Sequence, residues 1–348
     1  MTTKPSDILN IAVIGLGRWG PNHVRNFSNL SGSQVVAAAD IEAKNRDRIQ
    51  ANFGVETVDD YRKILDRPEV DAVVVCTPTA THFEIVKAAL EAGKHVLCEK
   101  PLTHKADDAW ELVRLAADKK RQLMTGHIFL FNPGIEYLEK AVQEGLAGPL
   151  YYINAIRTNL GPFRSDVNAA WDLASHDLYI FNHLLKMRPS WVAATGGSYL
   201  RNPVEDIVFL TLQYPNGVMG HIHVSWLDPK KVRALTVVGE NKMITWDEFA
   251  NPGPVVIYDR SVVRDPVYDT FGEFQLLTKE GDLLIPRIPS QEPMSRQAKY
   301  FLEACRNPER PIDRGSPDQA AEVVQILEAA SQSLENRGAK VDLTFNSP

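Results

Sequence analysis

Four groups of residues in this 348-residue chain have types and spacings that could do chemistry. Gly15-x-Gly17-x-x-Gly20, with Arg18 and Trp19 between its glycines, is followed twenty residues later by Asp40. Glycines so spaced suit a turn that brings backbone N–H groups against a pyrophosphate, at the N-terminus of the next helix. An acid at that distance can accept hydrogen bonds from an adenosine ribose. Its charge repels a 2′-phosphate, so the pattern predicts NAD rather than NADP. Asp172 and His176 stand four apart in a helical pattern, which places both side chains on one face. Histidine titrates near neutrality and suits proton transfer, and a carboxylate one turn away can orient the ring. By spacing alone the same pair also suits a solvated helix face or a satisfied cap. Glu99-Lys100-Pro101 sets a cation just after an apolar run. Arg157 and Arg164 flank the loop 159–163, where guanidinium groups suit a substrate phosphate or carboxylate.

The elements that must hold these groups follow from periodicity. Apolar runs at 11–14, 35–39, 70–76, 95–98 and 123–126 alternate with helical patterns, as in a parallel sheet covered on both faces. Thr81-His82-Phe83-Glu84 has capping-box spacing and predicts a helix ending near Gly93. The order is that of a doubly wound α/β domain, with Gly15, Asp40, Thr77 and Lys100 all just after strands. Beyond residue 126 the texture changes. Helical patterns at 133–145 and 171–185 are followed by strand-like runs at 192–196, 207–214, 218–226, 233–238 and 242–246, after an earlier run at 150–157. Pro215-Asn216-Gly217 reads as a hairpin turn. The expectation is an NAD-binding Rossmann domain over 1–126 and an α+β domain over 127–348. The second domain is built on a large, mostly antiparallel sheet and closes with a helix over 317–337, stopped by Gly338.

Composition narrows the partners. Lys+Arg 38 against Asp+Glu 44 leaves a net charge of −6, which argues against a nucleic-acid binder. No apolar run is long enough to cross a membrane, and the polar N-terminus with its single Lys4 argues against a secretory leader. Cys76, Cys98 and Cys305 have no metal spacing and fit a reducing cytoplasm. His221 and His223 alternate on a strand with no third ligand nearby, so no metal is expected. His82 suits either the cofactor edge or a first-turn surface position, and His127 reads mainly as core. Ile222, Val224 and Trp226 suggest an extended apolar sheet face that pairs copies into a homodimer or homotetramer.

Cys76-Thr77-Pro78-Thr79, Glu99-Lys100-Pro101 and Trp171-Asp172-Leu173-Ala174-Ser175-His176-Asp177, with the glycine fingerprint, resemble the glucose–fructose oxidoreductase / inositol dehydrogenase family. The resemblance covers most of the chain and thins beyond 240. It implies that Lys100 contacts nicotinamide ribose and substrate oxygen, and that Asp172 and His176 sit at the catalytic centre. It also implies cofactor contacts from Arg18, Trp19, Thr77, Pro78 and Glu99. Asn132 follows the last Rossmann strand, a place that suits a substrate pocket. Oxidising a secondary alcohol needs a base for the hydroxyl proton and positive charge beside the developing alkoxide, roles that these residues fit. Two departures bear on the substrate: relatives often carry a glycine-rich stretch where this chain has Val167-Asn168-Ala169-Ala170-Trp171, and an Arg where it has Leu130. The segments resembling nucleotide-sugar enzymes lead to a UDP-N-acetylhexosamine 3-dehydrogenase. The runners-up are an inositol or free-aldose dehydrogenase and a catalytically silent NAD-binding sensor.

Overall fold

The computed structural model describes residues 8–164, 166–264 and 276–345. The N-terminal segment read against a leader lies outside these up to residue 7. The chain forms two compact units; the first contains the residues up to Phe131 together with Gln291–Glu328.

In the first unit, β1 (Leu9–Ile14), α1 (Gly20–Asn29), β2 (Ser33–Ala39), α2 (Ala43–Phe53), β3 (Thr57–Val58) and α3 (Arg62–Leu65) make the first half. The second half is β4 (Ala72–Val75), α4 (His82–Glu91), β5 (His95–Cys98), α5 (Ala106–Asp118) and β6 (Leu123–Thr125). The strands pair in parallel in the order β3-β2-β1-β4-β5-β6. β4, Ala-Val-Val-Val, is buried along its whole length, which is why these strands read as unbroken apolar runs. The order reverses at β1, and the turns after β1, β2, β4 and β5 all leave the C-terminal edge of the sheet, where such folds take ligands.

The capping box at Thr81 does not form. The helix starts at His82 as expected, but the Thr81 hydroxyl bonds Thr77 Oγ1 and the Pro78 carbonyl, each at 2.8 Å, while Glu84 turns to Tyr61 and Arg62.

The second unit runs from Asn132 to Ser290 and adds Ala329–Thr344. It holds α6 (Pro133–Gln143), β7 (Leu150–Leu160), α7 (Ser175–Leu185), β8 (Trp191–Gly197), β9 (Ile207–Gln213), β10 (Met219–Ser225), β11 (Leu227–Gly239), β12 (Met243–Asp247) and β13 (Val255–Tyr258). β14 (Ser261–Arg264) and β15 (Leu276–Lys279) form a separate ribbon, and β16 (Leu283–Leu284) and β17 (Val341–Asp342) are short edge strands. Among the described residues the large sheet has nine strands in the order β16-β13-β12-β11-β7-β10-β9-β8-β17. Its β7–β10 pair is parallel and the other pairs are antiparallel.

Two expectations change. The division is not a single cut at 126/127, because α8 (Pro293–Arg306) and the start of α9 (Pro317–Glu335) return to the first unit. Phe301 of α8 meets Phe27 of α1 edge-on at 6.3 Å, and Arg306 Nη2 donates to the Gly32 carbonyl at 2.8 Å. A returning helix leaves no local signal of which sheet it will cover. The second change concerns Ile222, Val224 and Trp226, which are 0%, 0% and 1% exposed and form the covered face of β10 and its end. The open face of that sheet instead shows Tyr152, Phe209 and Met219. Period-two alternation marks two faces without saying which one the helices cover.

Candidate functional site

The three glycines after β1 do separate jobs. Gly15 has φ +91°, and a Cβ there would lie 2.7 Å from the Cys76 carbonyl carbon and the Thr77 nitrogen. A Cβ on Gly20 would lie 2.1 Å from the Gly15 oxygen, so the third glycine lets α1 pack close to the turn. At Gly17 a Cβ would meet nothing within 4 Å. The second glycine is therefore not needed for packing, and its backbone stays open to a phosphate. α1 has no acid in its first turn to oppose an anion at its N-terminus. These features fit a dinucleotide pyrophosphate.

Asp40 does more than the sequence suggests. Its carboxylate accepts from Leu16 N at 2.6 Å, Glu42 N at 2.8 Å and Asn45 Nδ2 at 3.2 Å. Arg48 Nη2 donates to the carbonyls of Leu16 and Gly17 at 2.6 and 3.1 Å. The glycine turn is thus clamped from α2 and from the end of β2. Sequence reasoning missed Asn45 and Arg48, whose polar helix gave no signal of which face meets the turn. Arg18 and Trp19 lie in the same turn, with the guanidinium 5.7 Å from the ring centroid and Trp19 exposed.

Thr77 and Pro78 follow β4, and Glu99 and Lys100 follow β5. Glu99 Oε1 lies 2.9 Å from His23 Nε2, and Glu99 Oε2 accepts from the Lys100 amide at 3.3 Å. His127 is buried beyond β6; burial, and then the Lys100 charge, hold its ring well below the ordinary histidine value. That ring is a core group close to the Lys100 cation.

In the second unit, Asp172 lies in a π-turn, Ala170–Ala174, that runs into α7. Such π-turns recur at functional sites. From 171 to 185 the residues that keep solvent access are Trp171, Asp172, Leu173 and His176; the rest of the stretch is buried. Asp172 Oδ2 accepts from Trp226 Nε1 at 3.2 Å, and Arg164 Nη1 lies 3.4 Å from Asp172 Oδ1. Arg164 is held mainly by Asp166, at 2.9 and 2.5 Å.

Two expected substrate residues have other work. Arg157 is 2% exposed and forks onto Asp177, so it does not present a guanidinium to a phosphate. Asn132 caps α6, its side-chain oxygen accepting from Gly134 N at 2.8 Å, as Asn before Pro at a helix start does. No cluster that could hold a metal occurs among the described residues.

The sheet, its reversal at β1 and the three-glycine turn define a Rossmann domain of the dinucleotide-binding kind. Residues 9–127 match the oxidoreductase family with NAD-binding Rossmann fold, and residues 135–245 match the GFO/IDH/MocA C-terminal domain. The chain belongs to the GFO/IDH/MocA family of oxidoreductases, and its cofactor is NAD. It is 28% identical over 287 residues to a UDP-N-acetylglucosamine 3-dehydrogenase of Acidithiobacillus ferrooxidans, covering 79% of this chain and 88% of that one. Over 225 residues it is 27% identical to a myo-inositol 2-dehydrogenase of Thermotoga maritima, covering 62% of this chain and 67% of the relative. Against two other inositol 2-dehydrogenases, the chain spans only 54% and 51% of their length. GenD2 from gentamicin A biosynthesis, solved with NAD, shares the fold with a TM-score of 0.83 at 23% identity, covering 99% of both chains.

Proposed function

We propose that this chain works in the cytoplasm as an NAD-dependent dehydrogenase that oxidises a ring hydroxyl of a sugar to a ketone, with a UDP-N-acetylhexosamine oxidised at C3 as its substrate. The observation that carries the chemistry is that Asp172 and His176, with Trp171 and Leu173, keep partial solvent access on a helical stretch whose other residues are buried. A histidine kept accessible there, beside a carboxylate held by Trp226 and Arg164, is suited to exchange a proton. In this reading His176 takes the hydroxyl proton, and Asp172 orients its ring. The family resemblance gives Lys100 its own role, that of supplying positive charge to a developing alkoxide. NAD, when bound, accepts the hydride from the carbon, so a C=O forms as C–H and O–H break.

The substrate choice rests on the relative from Acidithiobacillus ferrooxidans, whose alignment is the longer of the two dehydrogenases compared. The burial of Arg157 favours the second reading, a free inositol or aldose, because it removes a cation that a diphosphate would use. NADH formation across UDP-GlcNAc, UDP-glucose, myo-inositol and glucose, with hydrazine to trap the ketone, separates the two. UDP-linked substrates should lead in kcat/KM; faster turnover of myo-inositol with no competition from UDP gives the second reading. The open sheet face with Tyr152, Phe209 and Met219 supports a homodimer or homotetramer, and a light-scattering mass near one 38.9 kDa chain excludes both.

A further inference from the structure

Two buried histidines bracket the Lys100 turn, and the chemistry proposed above uses neither. His23, on α1, is 1% exposed and places Nε2 2.9 Å from Glu99 Oε1. The carboxylate can only accept, so His23 Nε2 carries the hydrogen. His82, the first residue of α4, is also 1% exposed. Its Nδ1 lies 3.0 Å from the Pro101 carbonyl and its Nε2 lies 2.9 Å from the Thr77 carbonyl. His82 therefore joins the turn after β4 to the turn after β5, while His23 joins the turn after β5 to α1.

The remaining links are backbone. Gly15 packs so closely on Cys76 and Thr77 that a Cβ would collide with them, and Gly20 opens α1 against the Gly15 oxygen. The contacts form a closed circuit. It runs from the glycine turn through α1 and His23 to Glu99, along Lys100 and Pro101 to His82, and through Thr77 back to Gly15. A histidine that only filled core would not need both ring nitrogens aimed at carbonyls of two separate turns on the ligand edge of the sheet.

We propose that His23 and His82 are positioning residues that close this circuit, so that the glycine turn and the Lys100 turn are placed jointly rather than independently. The inference rests on the reading that the Lys100 turn serves bound NAD and substrate. A neutral imidazole has one N–H, so His82 can donate to only one of its two carbonyls at a time. Burial disfavours the doubly protonated ring, while the two carbonyls and Glu99 favour it. The His82 link is thus the part of the circuit most open to adjustment.

The test is a set of variants in the full chain: His82→Ala, His23→Ala, His23→Gln and the double alanine. NADH binding is read by fluorescence, turnover with the best sugar of the panel, and amide exchange over 15–20, 76–82 and 99–103. His82→Ala should weaken NADH about tenfold and lower kcat by roughly 10–100-fold, the scale expected when a catalytic group is displaced by about 1 Å. Exchange should quicken in all three segments, not only beside the substitution. His23→Gln, which keeps a donor toward Glu99, should recover most of what His23→Ala loses. The double variant should lose less than the product of the single losses, because either change opens the same circuit. Independent, multiplicative losses, or quickened exchange confined to 76–82, overturn the proposal. If His82→Ala does not fold, the two His23 variants carry the same exchange and binding comparison. Lys100→Ala with full activity would remove the catalytic reading of Lys100. Even then, NADH affinity and exchange in the histidine variants would still decide whether the circuit exists.

Discussion

Arg157 and Asp177 form a two-point ion pair inside the second unit, with Arg157 Nε 2.8 Å from Asp177 Oδ2 and Nη2 2.7 Å from Oδ1. β7 supplies the arginine and α7 the aspartate, so the pair locks the helix that presents His176 onto the sheet beneath it. Asp177 follows His176 directly, and consecutive helical residues point about 100° apart. One turn of helix thus carries an accessible histidine and a buried anchor.

Removing one partner leaves a buried charge alone, which costs about 3–5 kcal/mol. Arg157→Ala should therefore lower unfolding stability by that amount in urea titration and depress turnover for every substrate alike. A rise in KM confined to UDP-linked substrates, with stability unchanged, would restore Arg157 as a phosphate contact.

His176→Ala and Lys100→Ala should each lower kcat by roughly 10²–10⁴-fold, the range for losing an acid–base or charge-stabilising group. Melting temperature should hardly move for His176→Ala, because that side chain keeps solvent access. Turnover near wild type in His176→Ala would remove it as the proton acceptor.

NAD(H) should bind more tightly than NADP(H). Asp40→Ala should narrow the gap by removing the charge that repels a 2′-phosphate. It should also weaken NAD(H) itself, since it takes an acceptor from Leu16 N, Glu42 N and Asn45. Fluorescence titration with both cofactors checks this. Unchanged NADH affinity in Asp40→Ala would show that the clamp on the glycine turn is dispensable.

Acid should destabilise the first unit through histidines held neutral. Burial, assisted by the Arg121 charge, pushes His95 down to about 4, and its Nδ1 accepts from Gln122 N at 2.9 Å. Burial moves His82 and His127 the same way. Their unfolded value is about 6.5, so below that pH the unfolded chain binds protons that the folded chain refuses. Stability is fully present above about pH 6.5 and falls as the pH drops toward 4. The slope is at most about 1.4 kcal/mol per pH unit for each ring, and less for His95, which keeps some solvent. Urea unfolding at several pH values should show this fall, and His95→Gln should flatten it; an equal slope in the variant excludes His95 as a source.

The parallel sheet was legible in the sequence because each strand is short, apolar throughout and ended by a turn residue. The glycine fingerprint was legible because its chemistry needs glycine at fixed spacings, whatever surrounds it. Asp172 and His176 could be singled out as a candidate pair because helical spacing of four suggests a shared face. What the sequence could not show was which face of an element is covered. Trp226 looked like part of an exposed sheet face, and it is buried with its indole on Asp172. Arg157 looked like a ligand for phosphate, and its fate depended on an aspartate twenty residues away that only packing brings to it. His82 stood between surface and site until two turns, from different strands, closed on its two nitrogens. Local spacing is set by the chain's own geometry and so survives in the sequence. Burial and long-range pairing arise from elements that meet only when the chain has folded, and the tertiary structure alone decides them.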